Sequence, residues 1–233
     1  MKGKGVFVSL YRYETHLHTA EGSACSIRSA REQVRHYKEL GYEGIVVTDH
    51  FFNGNTTVPR NLSWEERINL FYRGYERAKE EGDLIGLSVF FGWEAGFRGT
   101  EFLIYGLDKE WLLNHPDMLN WTVEEQYNKI HADGGLVIHA HPFRKRPYIK
   151  EIRLFPEYVD GVEVLNIGNN NDDFDREAVL YARKHKLIET AGTDAHGDET
   201  KYSGVAFKYK LKDIKDFIAG IQNGKHELIR PVV

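Results

Sequence analysis

Short apolar runs alternate with amphipathic helical stretches along the chain, and this alternation limits the fold more than any other feature. Apolar runs predict strands at Gly44–Thr48, Leu84–Phe91, Phe102–Tyr105, Leu136–Ile138, Gly161–Leu165, Leu187–Ala191 and Val205–Phe207, after an apolar stretch at Val6–Leu10. Helices are predicted at Ile27–Leu40, from Ser63 to about Gly82, from Thr122 to about Asp133, at about Asp172–Lys186 and at Ile214–Gln222. Strands that alternate with helices favour parallel βα units in one sheet or barrel, so we expect an α/β fold.

The length of 233 residues suits either two small domains or one α/β barrel, and we expect a single barrel domain over residues 1–233. The formal net charge of −4 disfavours nucleic acid as a partner. The single cysteine, Cys25, excludes an intrachain disulfide and fits a reducing compartment. Residues Met1–Val8 do not form a signal peptide, and no run approaches the ~20 apolar residues of a membrane span. We therefore expect a cytoplasmic protein that has no membrane partner.

Imidazoles and carboxylates repeatedly follow the apolar strand runs. These residues are His16 and His18, Asp49 and His50, Glu94, His139 and His141, and Asp194 and His196. In an α/β barrel the C-terminal strand ends form one face, and that face carries the chemistry. The five segments are therefore expected to deliver their polar side chains to one place.

Each of these motifs also has a purely structural interpretation. A His-x-His pair alone is weak, although residues two apart in an extended segment share a face and can reach one ion. Glu94 alone is compatible with a solvated carboxylate, and Asp49 with a turn residue. Together the five segments are hard to explain as packing, because clustered charges would be costly without a compensating cation.

The chain resembles the PHP family (polymerase and histidinol phosphatase) in five motifs that occur in family order. These motifs are His16-Leu17-His18-Thr19, Thr48-Asp49-His50, Gly92-Trp93-Glu94, His139-Ala140-His141-Pro142 and Gly192-Thr193-Asp194-Ala195-His196. The resemblance covers most of the chain. It implies a distorted seven-stranded (β/α) barrel, similar to a TIM barrel, with two or three divalent metal ions at the C-terminal ends of the strands.

The resemblance also implies how the ligands are shared. One ion would take His16, His18, Glu94 and Asp194. Glu94 would bridge to a second ion that also takes His141, and a third position would use His50 and His196.

Two positions depart from the usual family pattern. Glu101 stands where the second ion commonly gains a histidine, and we retain it as a candidate ligand because a carboxylate can replace an imidazole. The third ion often takes a histidine from the loop that here reads Glu21–Cys25, which has none. Two interpretations of Cys25 stay open: a soft ligand, or part of the loop before the first helix.

Residues around the predicted ligands have less specific interpretations. Asp49 is expected to orient His50 or its loop, and His139 to be structural. Glu163 and Asn166 either line the pocket or have a structural role.

Arg144, close behind His141-Pro142-Phe143, is expected to hold a phosphate group, although a solvated Arg144-Lys145-Arg146 loop is the alternative. Asp194 or His196 could protonate a leaving oxygen, a role that competes with metal binding.

The expected function is hydrolysis of a small-molecule phosphate ester by attack of a metal-bound hydroxide. Two divalent ions roughly 3.5–4 Å apart acidify a water and neutralise the phosphoryl oxygens. Imidazole ligands select Zn, Mn or Fe, and carboxylates bridge the ions. One alternative is an amidohydrolase-like hydrolase, which also begins with His-x-His. The absence of a lysine candidate on a strand and the His-Pro motif disfavour it. The other alternative is a nuclease-like or non-catalytic PHP module.

Overall fold

The computed structural model describes residues 10–147 and 149–231, which form nine strands and seven α-helices. The strands are β1 (Tyr11–Leu17), β2 (Gly44–Val47), β3 (Ser88–Phe97), β4 (Thr100–Tyr105), β5 (Leu136–Ala140), β6 (Gly161–Asn166), β7 (Ile188–Gly192), β8 (Gly204–Phe207) and β9 (His226–Ile229). The helices are α1 (Ala30–Glu39), α2 (Trp64–Phe71), α3 (Arg73–Ile85), α4 (Lys109–Leu113), α5 (Val123–Ala132), α6 (Asp172–His185) and α7 (Ile214–Gln222).

The strands form one mixed sheet in the order β7-β6-β5-β4-β3-β2-β1-β8-β9. The pairs β1–β2, β2–β3, β5–β6 and β6–β7 are parallel, and the other four are antiparallel. The α/β class is thus confirmed, but seven strands is wrong because the described residues form nine.

The antiparallel pairs arise from local chain reversals. Arg98 (φ 52°) and Gly99 (φ 89°) form the two-residue turn between β3 and β4, and positive φ at both positions suits a tight hairpin. Strand β9, which the sequence analysis missed, is a short edge strand that pairs with β8. Its sequence, HELI, has no apolar run that marks it.

Hydrogen bonds between the end of β1 and the chain around β7 nearly close the sheet into a barrel. The Thr15 hydroxyl donates to the carbonyl of Ala191 (2.7 Å). Beyond the strands, the His18 N–H donates to the Ala195 carbonyl (2.9 Å), and the Ala195 N–H donates to the His16 carbonyl (3.1 Å). The segments that carry His16, His18 and Asp194 are therefore tied together directly.

Two predicted elements differ in their bounds. The helix predicted from Ser63 divides at Tyr72 into α2 and α3, and α3 continues to Ile85. Leu84 and Ile85 are therefore helical, and the strand predicted at Leu84–Phe91 begins only at Ser88. Gly86 causes the difference, because its left-handed conformation (φ 74°) caps the helix after Ile85.

The first strand also differs from the prediction. His16 lies within β1, whose sequence YRYETHL is polar, and does not follow a strand at Val6–Leu10. Residues 6–9 of that predicted stretch lie outside the described residues. Capping boxes at Ser63–Glu66 and Thr122–Glu125 start α2 and α5, as the sequence pattern indicates.

Apolar side chains fill the inside of the curved sheet away from the polar strand ends. One cluster joins Tyr13, Phe90, Tyr105 and Phe207 from four strands with Phe217 of α7. Because these residues come from strands on both arms of the sheet, the barrel interior is a packed core and not a channel. Among the helices described, none has both the length and the apolar composition needed to cross a membrane.

Candidate metal centre

The barrel topology gathers the predicted ligands at one face. His16 and Glu94 lie near the ends of β1 and β3, and His141 directly follows β5. Asp194 and His196 follow β7 and are joined to β1 through Ala195. The parallel strands place their carboxyl ends at one edge, so residues far apart in sequence come within a few ångströms.

Four side chains meet at the position predicted for the first ion. The two Nε2 atoms of His16 and His18 are 3.1 Å apart, and each points towards carboxylate oxygens. His16 Nε2 lies 3.3 Å from both Glu94 Oε1 and Asp194 Oδ1, and His18 Nε2 lies 3.1 Å from Asp194 Oδ1. All four side chains are at most 4% exposed. Two imidazoles and two carboxylates thus offer lone pairs to one small volume.

Glu94 also faces a second group of donors. His141 Nε2 lies 3.1 Å from Glu94 Oε1, and His50 Nδ1 lies 2.7 Å from Glu94 Oε2. Glu101, on the neighbouring strand β4, points into the same space. Its carboxylate oxygens are 3.6 Å from His141 Nε2 and 3.9 Å from His50 Nδ1. Glu94 therefore lies between two donor groups, as a bridging carboxylate must.

Three imidazoles surround the third position. The ring centroids of His18 and His50 are 4.3 Å apart, and those of His18 and His196 are 4.4 Å apart. His196 Nε2 lies 3.1 Å from Cys25 Sγ. Burial would raise the pKa of the Cys25 thiol, but hydrogen bonds with His196 and His50 lower it to about 6. The loop without histidine therefore still delivers one donor, a sulfur, to this position.

Carboxylates and a hydroxyl hold the histidine rings in place. Glu163 Oε1 lies 3.1 Å from Nδ1 of His16, so the opposite nitrogen faces the cluster. Ser23 Oγ lies 3.0 Å from Nδ1 of His18 and donates to Asp49 Oδ1 (2.7 Å). Partners of this kind fix the tautomer and orientation of metal-binding imidazoles. Sequence reasoning missed Ser23, because its partners lie in other segments.

Asp49 and His139 lie away from the donor groups. Besides Ser23, Asp49 accepts hydrogen bonds from the N–H and hydroxyl of Thr19 (both 2.7 Å), so it braces the loop that follows β1. His139 is fully buried, and its ring stacks on Phe102 with 5.2 Å between centroids. Burial lowers the pKa of His139 to about 3, which keeps the ring neutral inside the protein core.

Arg144 borders the cluster and a cavity of about 460 Å³. Its Nη2 is 2.7 Å from Asp194 Oδ2 and donates to Asn166 Oδ1 (2.7 Å), while its Nε donates to Asn169 Oδ1 (2.9 Å). The cavity is lined by Arg144, Asp194 and His196 together with Arg146 and Lys201. Asp198 and Glu199 also line it, so its walls carry both signs of charge. A buried guanidinium is therefore held rigidly between the donor cluster and an open, polar pocket.

The buried carboxylates of the cluster favour positive charge beside them. Burial would lower the pKa of His16, but the carboxylates of Asp194, Glu163 and Glu94 raise it well above its usual value. Burial would raise the pKa of Glu94, but His50 and His16 hold it well below its usual value. Burial, and then the charge of Glu94, raise the pKa of Glu101. Protons on imidazoles thus balance the buried carboxylates here, a role that divalent cations would fill better.

Two predicted ligands have left-handed backbone conformations. His141 has φ 27° and Asp194 has φ 60°, both unusual for residues other than glycine. The N–H of His141 donates to Glu163 Oε2 (3.2 Å), and Arg144 holds the Asp194 side chain. Backbone strain of this kind persists only where surrounding contacts hold the residue in place, and it is found mostly at functional sites.

The donor set fits divalent metal ions. Oε2 of Glu94 and Nδ1 of His50 are buried, and neither makes a hydrogen bond of good geometry to the described residues. Four sets of three donors have ligand atoms within 4.8 Å of one another, and all consist of residues predicted from the sequence. A mixture of imidazoles and carboxylates suits Zn, Mn or Fe, and carboxylates can bridge two ions.

Solved structures of other proteins share this fold. A two-domain protein from Bacteroides vulgatus, described as containing a predicted PHP-like metal-dependent phosphoesterase, superposes with a TM-score of 0.65 at 13% identity. It matches 96% of this chain, which spans 65% of the Bacteroides chain.

Two further structures share the fold. An inferred metal-dependent phosphoesterase from Bifidobacterium adolescentis gives a TM-score of 0.55 at 16% identity, over 80% of this chain and 88% of that one. An amidohydrolase from Chromobacterium violaceum gives a TM-score of 0.55 at 14% identity, over 79% of this chain and 87% of that one. No family model and no curated protein matches the sequence. At these identities the comparisons show a shared fold alone, and that fold agrees with the α/β, barrel-like part of the prediction.

Proposed function

We propose that this chain is a PHP-type phosphoesterase, a single barrel that uses two or three divalent ions to hydrolyse a small-molecule phosphate ester. The observation that carries the proposal is the position of Asp194. Its Oδ1 faces His16 and His18, while its Oδ2 is 2.7 Å from Arg144 at the edge of an open pocket. One carboxylate thus joins a cation-binding cluster to a guanidinium that can bind phosphate.

The candidate ligands fall into three groups, one for each proposed ion. His16, His18, Glu94 and Asp194 would hold one ion, and Glu94, Glu101 and His141 a second. His50 and His196 would hold the third. Bound divalent ions would make a water nucleophilic near neutral pH and neutralise charge on the phosphoryl oxygens.

Arg144 and its neighbours would bind and orient the ester. The guanidinium is 7% exposed and fixed by Asn166 and Asn169, so it is preorganised to receive a phosphoryl oxygen without losing side-chain entropy. Arg146 and Lys201 line the same cavity and could contact an anionic group, opposite Asp198 and Glu199, which line it as well. A volume of about 460 Å³ suits a small molecule better than a polymer.

Metal binding and proton transfer compete for Asp194 and His196. His196 donates through Nδ1 to the carbonyl of Asp194 (2.7 Å), so its Nε2 carries the lone pair that a ligand needs. Asp194 is ionised, because His16 and Arg144 hold its pKa well below the usual range against the effect of burial. We therefore assign both residues to metal binding, and the leaving oxygen takes its proton from solvent.

An assay with two substrate classes tests this function. Chelated protein reloaded with Mn, Zn or Fe should hydrolyse p-nitrophenyl phosphate, and His18→Ala or Asp194→Ala should abolish turnover while the protein stays folded. His131→Ala is the matched control, because this imidazole is 52% exposed, lies on α5 and belongs to none of the donor sets. Metal-loaded protein that hydrolyses no phosphate ester in a broad panel would refute the proposal.

The amidohydrolase-like alternative is tested in the same preparation. That chemistry commonly uses a carbamylated lysine on a strand, and none of the nine strands of residues 10–147 and 149–231 contains a lysine. The shared fold with the Chromobacterium amidohydrolase makes amide and lactone substrates the appropriate second panel. Turnover confined to that panel would favour the alternative.

A further inference from the structure

Cys25 is the only cysteine of the chain, and the fold brings it to the third metal position. It lies in the loop between β1 and α1, yet its Sγ is 3.1 Å from Nε2 of His196, a residue 171 positions away. The thiol and His50 also line one cavity. Both imidazoles are residues that the proposed function assigns to the third ion.

The loop is braced at several points, so the thiol has a fixed position. The N–H of Ile27 donates to the carbonyl of His196 (2.8 Å), and the hydroxyl of Ser26 donates to the carbonyl of His18 (3.1 Å). On the other side, the N–H of Ala24 donates to the carbonyl of Asn55 (2.8 Å). The residues that flank Cys25 are thus tied to the segments carrying the imidazoles.

We propose that Cys25 is a thiolate ligand of the third metal ion, together with His50 and His196; this inference rests on the metal centre of the proposed function. Zn–S and Zn–N bonds of about 2.3 and 2.0–2.1 Å place the two donor atoms about 3.6 Å apart in a tetrahedral site. The observed 3.1 Å between Sγ and Nε2 requires only a small opening of the two side chains.

The state of His50 gives independent support. This side chain is 8% exposed, and its Nδ1 has no hydrogen-bond partner of good geometry within the described ranges, although Glu94 Oε2 is 2.7 Å away. A buried imidazole without a hydrogen bond is costly in a folded protein, and a nearby cation removes that cost. His50, which lines one cavity with Cys25, is therefore a side chain that a cation bound there would stabilise.

A sulfur ligand predicts a metal preference for this position that the other two do not share. The first two positions combine imidazoles with carboxylates, which accept Mn as well as Zn or Fe. A thiolate is soft and selects Zn or Fe over Mn and Mg. The cavity of about 480 Å³ that Cys25, His50 and Glu101 line leaves space for a substrate oxygen or water to complete the coordination.

A nucleophilic cysteine is the competing interpretation of the same contact. Cys25 and His196 are close enough to form a Cys–His pair of the kind that activates a thiolate. The pair lies among other imidazoles and carboxylates that would all be close to a bound cation, which favours ligation. The two interpretations differ in whether metal protects the thiol.

Cobalt titration of the chelated protein distinguishes a metal-bound Cys25 from a nucleophilic Cys25. We expect the native protein to gain a thiolate-to-cobalt charge-transfer band in the near ultraviolet. Because the chain has one cysteine, this band can arise only from Cys25. Cys25→Ser should lose the band and keep the visible d–d bands of the other positions, and Cys25→His should regain the third cobalt without the band.

Thiol reactivity gives a second readout. With free cobalt at about ten times its Kd, reaction of the thiol with a disulfide reagent should slow about tenfold, and a chelator should restore the rate. Visible d–d bands without the charge-transfer band, and an unprotected thiol, would overturn the inference and leave the other two positions intact. A charge-transfer band in protein that hydrolyses no phosphate ester would support the inference and refute the proposed function.

Discussion

Glu163 Oε1 lies 3.1 Å from Nδ1 of His16, and both side chains are fully buried. The other oxygen of Glu163 accepts from the N–H of His141 (3.2 Å) and from the amide of Asn166 (2.6 Å). One carboxylate therefore orients a ring on β1 and the backbone of a predicted ligand after β5. It would position ligands of the proposed metal centre without binding an ion itself.

Glu163→Gln should weaken metal binding. The amide keeps the size of the side chain but is a poorer acceptor for the Nδ1 proton of His16, so that ring loses basicity and orientation. Loss of such a partner typically costs 10–100-fold in metal affinity. Competitive titration with a chromophoric chelator measures the change. Glu189→Gln, on the neighbouring strand β7, is the matched control and should bind metal like the native protein.

We expect binding of the second metal ion to depend on Glu101. Glu101→Gln removes the charge that faces His141 and His50, so one metal equivalent should be lost on dialysis while the tighter one remains. Glu101→His should restore it, because an imidazole is the usual family ligand there. Metal analysis per mole of protein checks both variants, with the exposed Glu227→Gln as control. Unchanged metal content in Glu101→Gln would remove Glu101 from the centre.

The side chains that the sequence analysis named as ligands come together in the fold, but most of their hydrogen-bond partners were not foreseen. His16, His18, Glu94, His141 and Asp194 were identifiable because each is near a strand end, and parallel strands share one edge. The same argument does not reach Glu101. Its place opposite Gly96 depends on the two-residue turn at Arg98–Gly99, which sets the hairpin register. A one-residue slip would have turned Glu101 to the other face.

The sequence analysis also missed hydrogen-bond partners that are distant in sequence, and one short strand. Neither the contact of Cys25 with His196 nor that of Ser23 with Asp49 has a local sequence signal, because each depends on how the loop after β1 folds against other strand ends. The ninth strand was missed because an edge strand needs only backbone hydrogen bonds to one neighbour, and its side chains need not be apolar.

Arg144→Lys should impair substrate binding more than metal binding. An ammonium cannot bridge Asp194, Asn166 and Asn169 while also presenting an N–H to a phosphoryl oxygen. We expect kcat/KM for a phosphate ester to fall about 10–100-fold, equivalent to about 1.4–2.8 kcal/mol. Inhibition by inorganic phosphate should weaken in parallel. Arg31→Lys is the control, because Arg31 lies on α1, outside the cavity, and makes an exposed ion pair with Glu80. Equal effects in the two variants would contradict the assignment.

Asp175 provides a test of stability that does not involve the metal ligands. Burial raises the pKa of this carboxyl from 3.8 to about 6, although hydrogen bonds from Asn169 and the Asn166 N–H oppose the shift. Since the folded pKa is above the unfolded one, the native state binds more protons between about pH 4 and 6. The contribution of Asp175 to stability is therefore full below pH 3.8 and is lost as the pH rises through about 6.

Asp175→Asn should remove this dependence, because the amide can accept the same two hydrogen bonds and does not ionise. A shift of about two units corresponds to about 3 kcal/mol, but the partial exposure of Asp175 reduces the expected effect to roughly 1 kcal/mol. Relative to the native protein, the variant should gain that amount in free energy of unfolding between pH 4 and 7, measured by urea denaturation of chelated protein. Titration of the donor cluster cancels in the difference. Asp83→Asn, an exposed carboxylate on α3, should show no such gain, and an equal gain in both variants would trace the effect to general charge and not to burial.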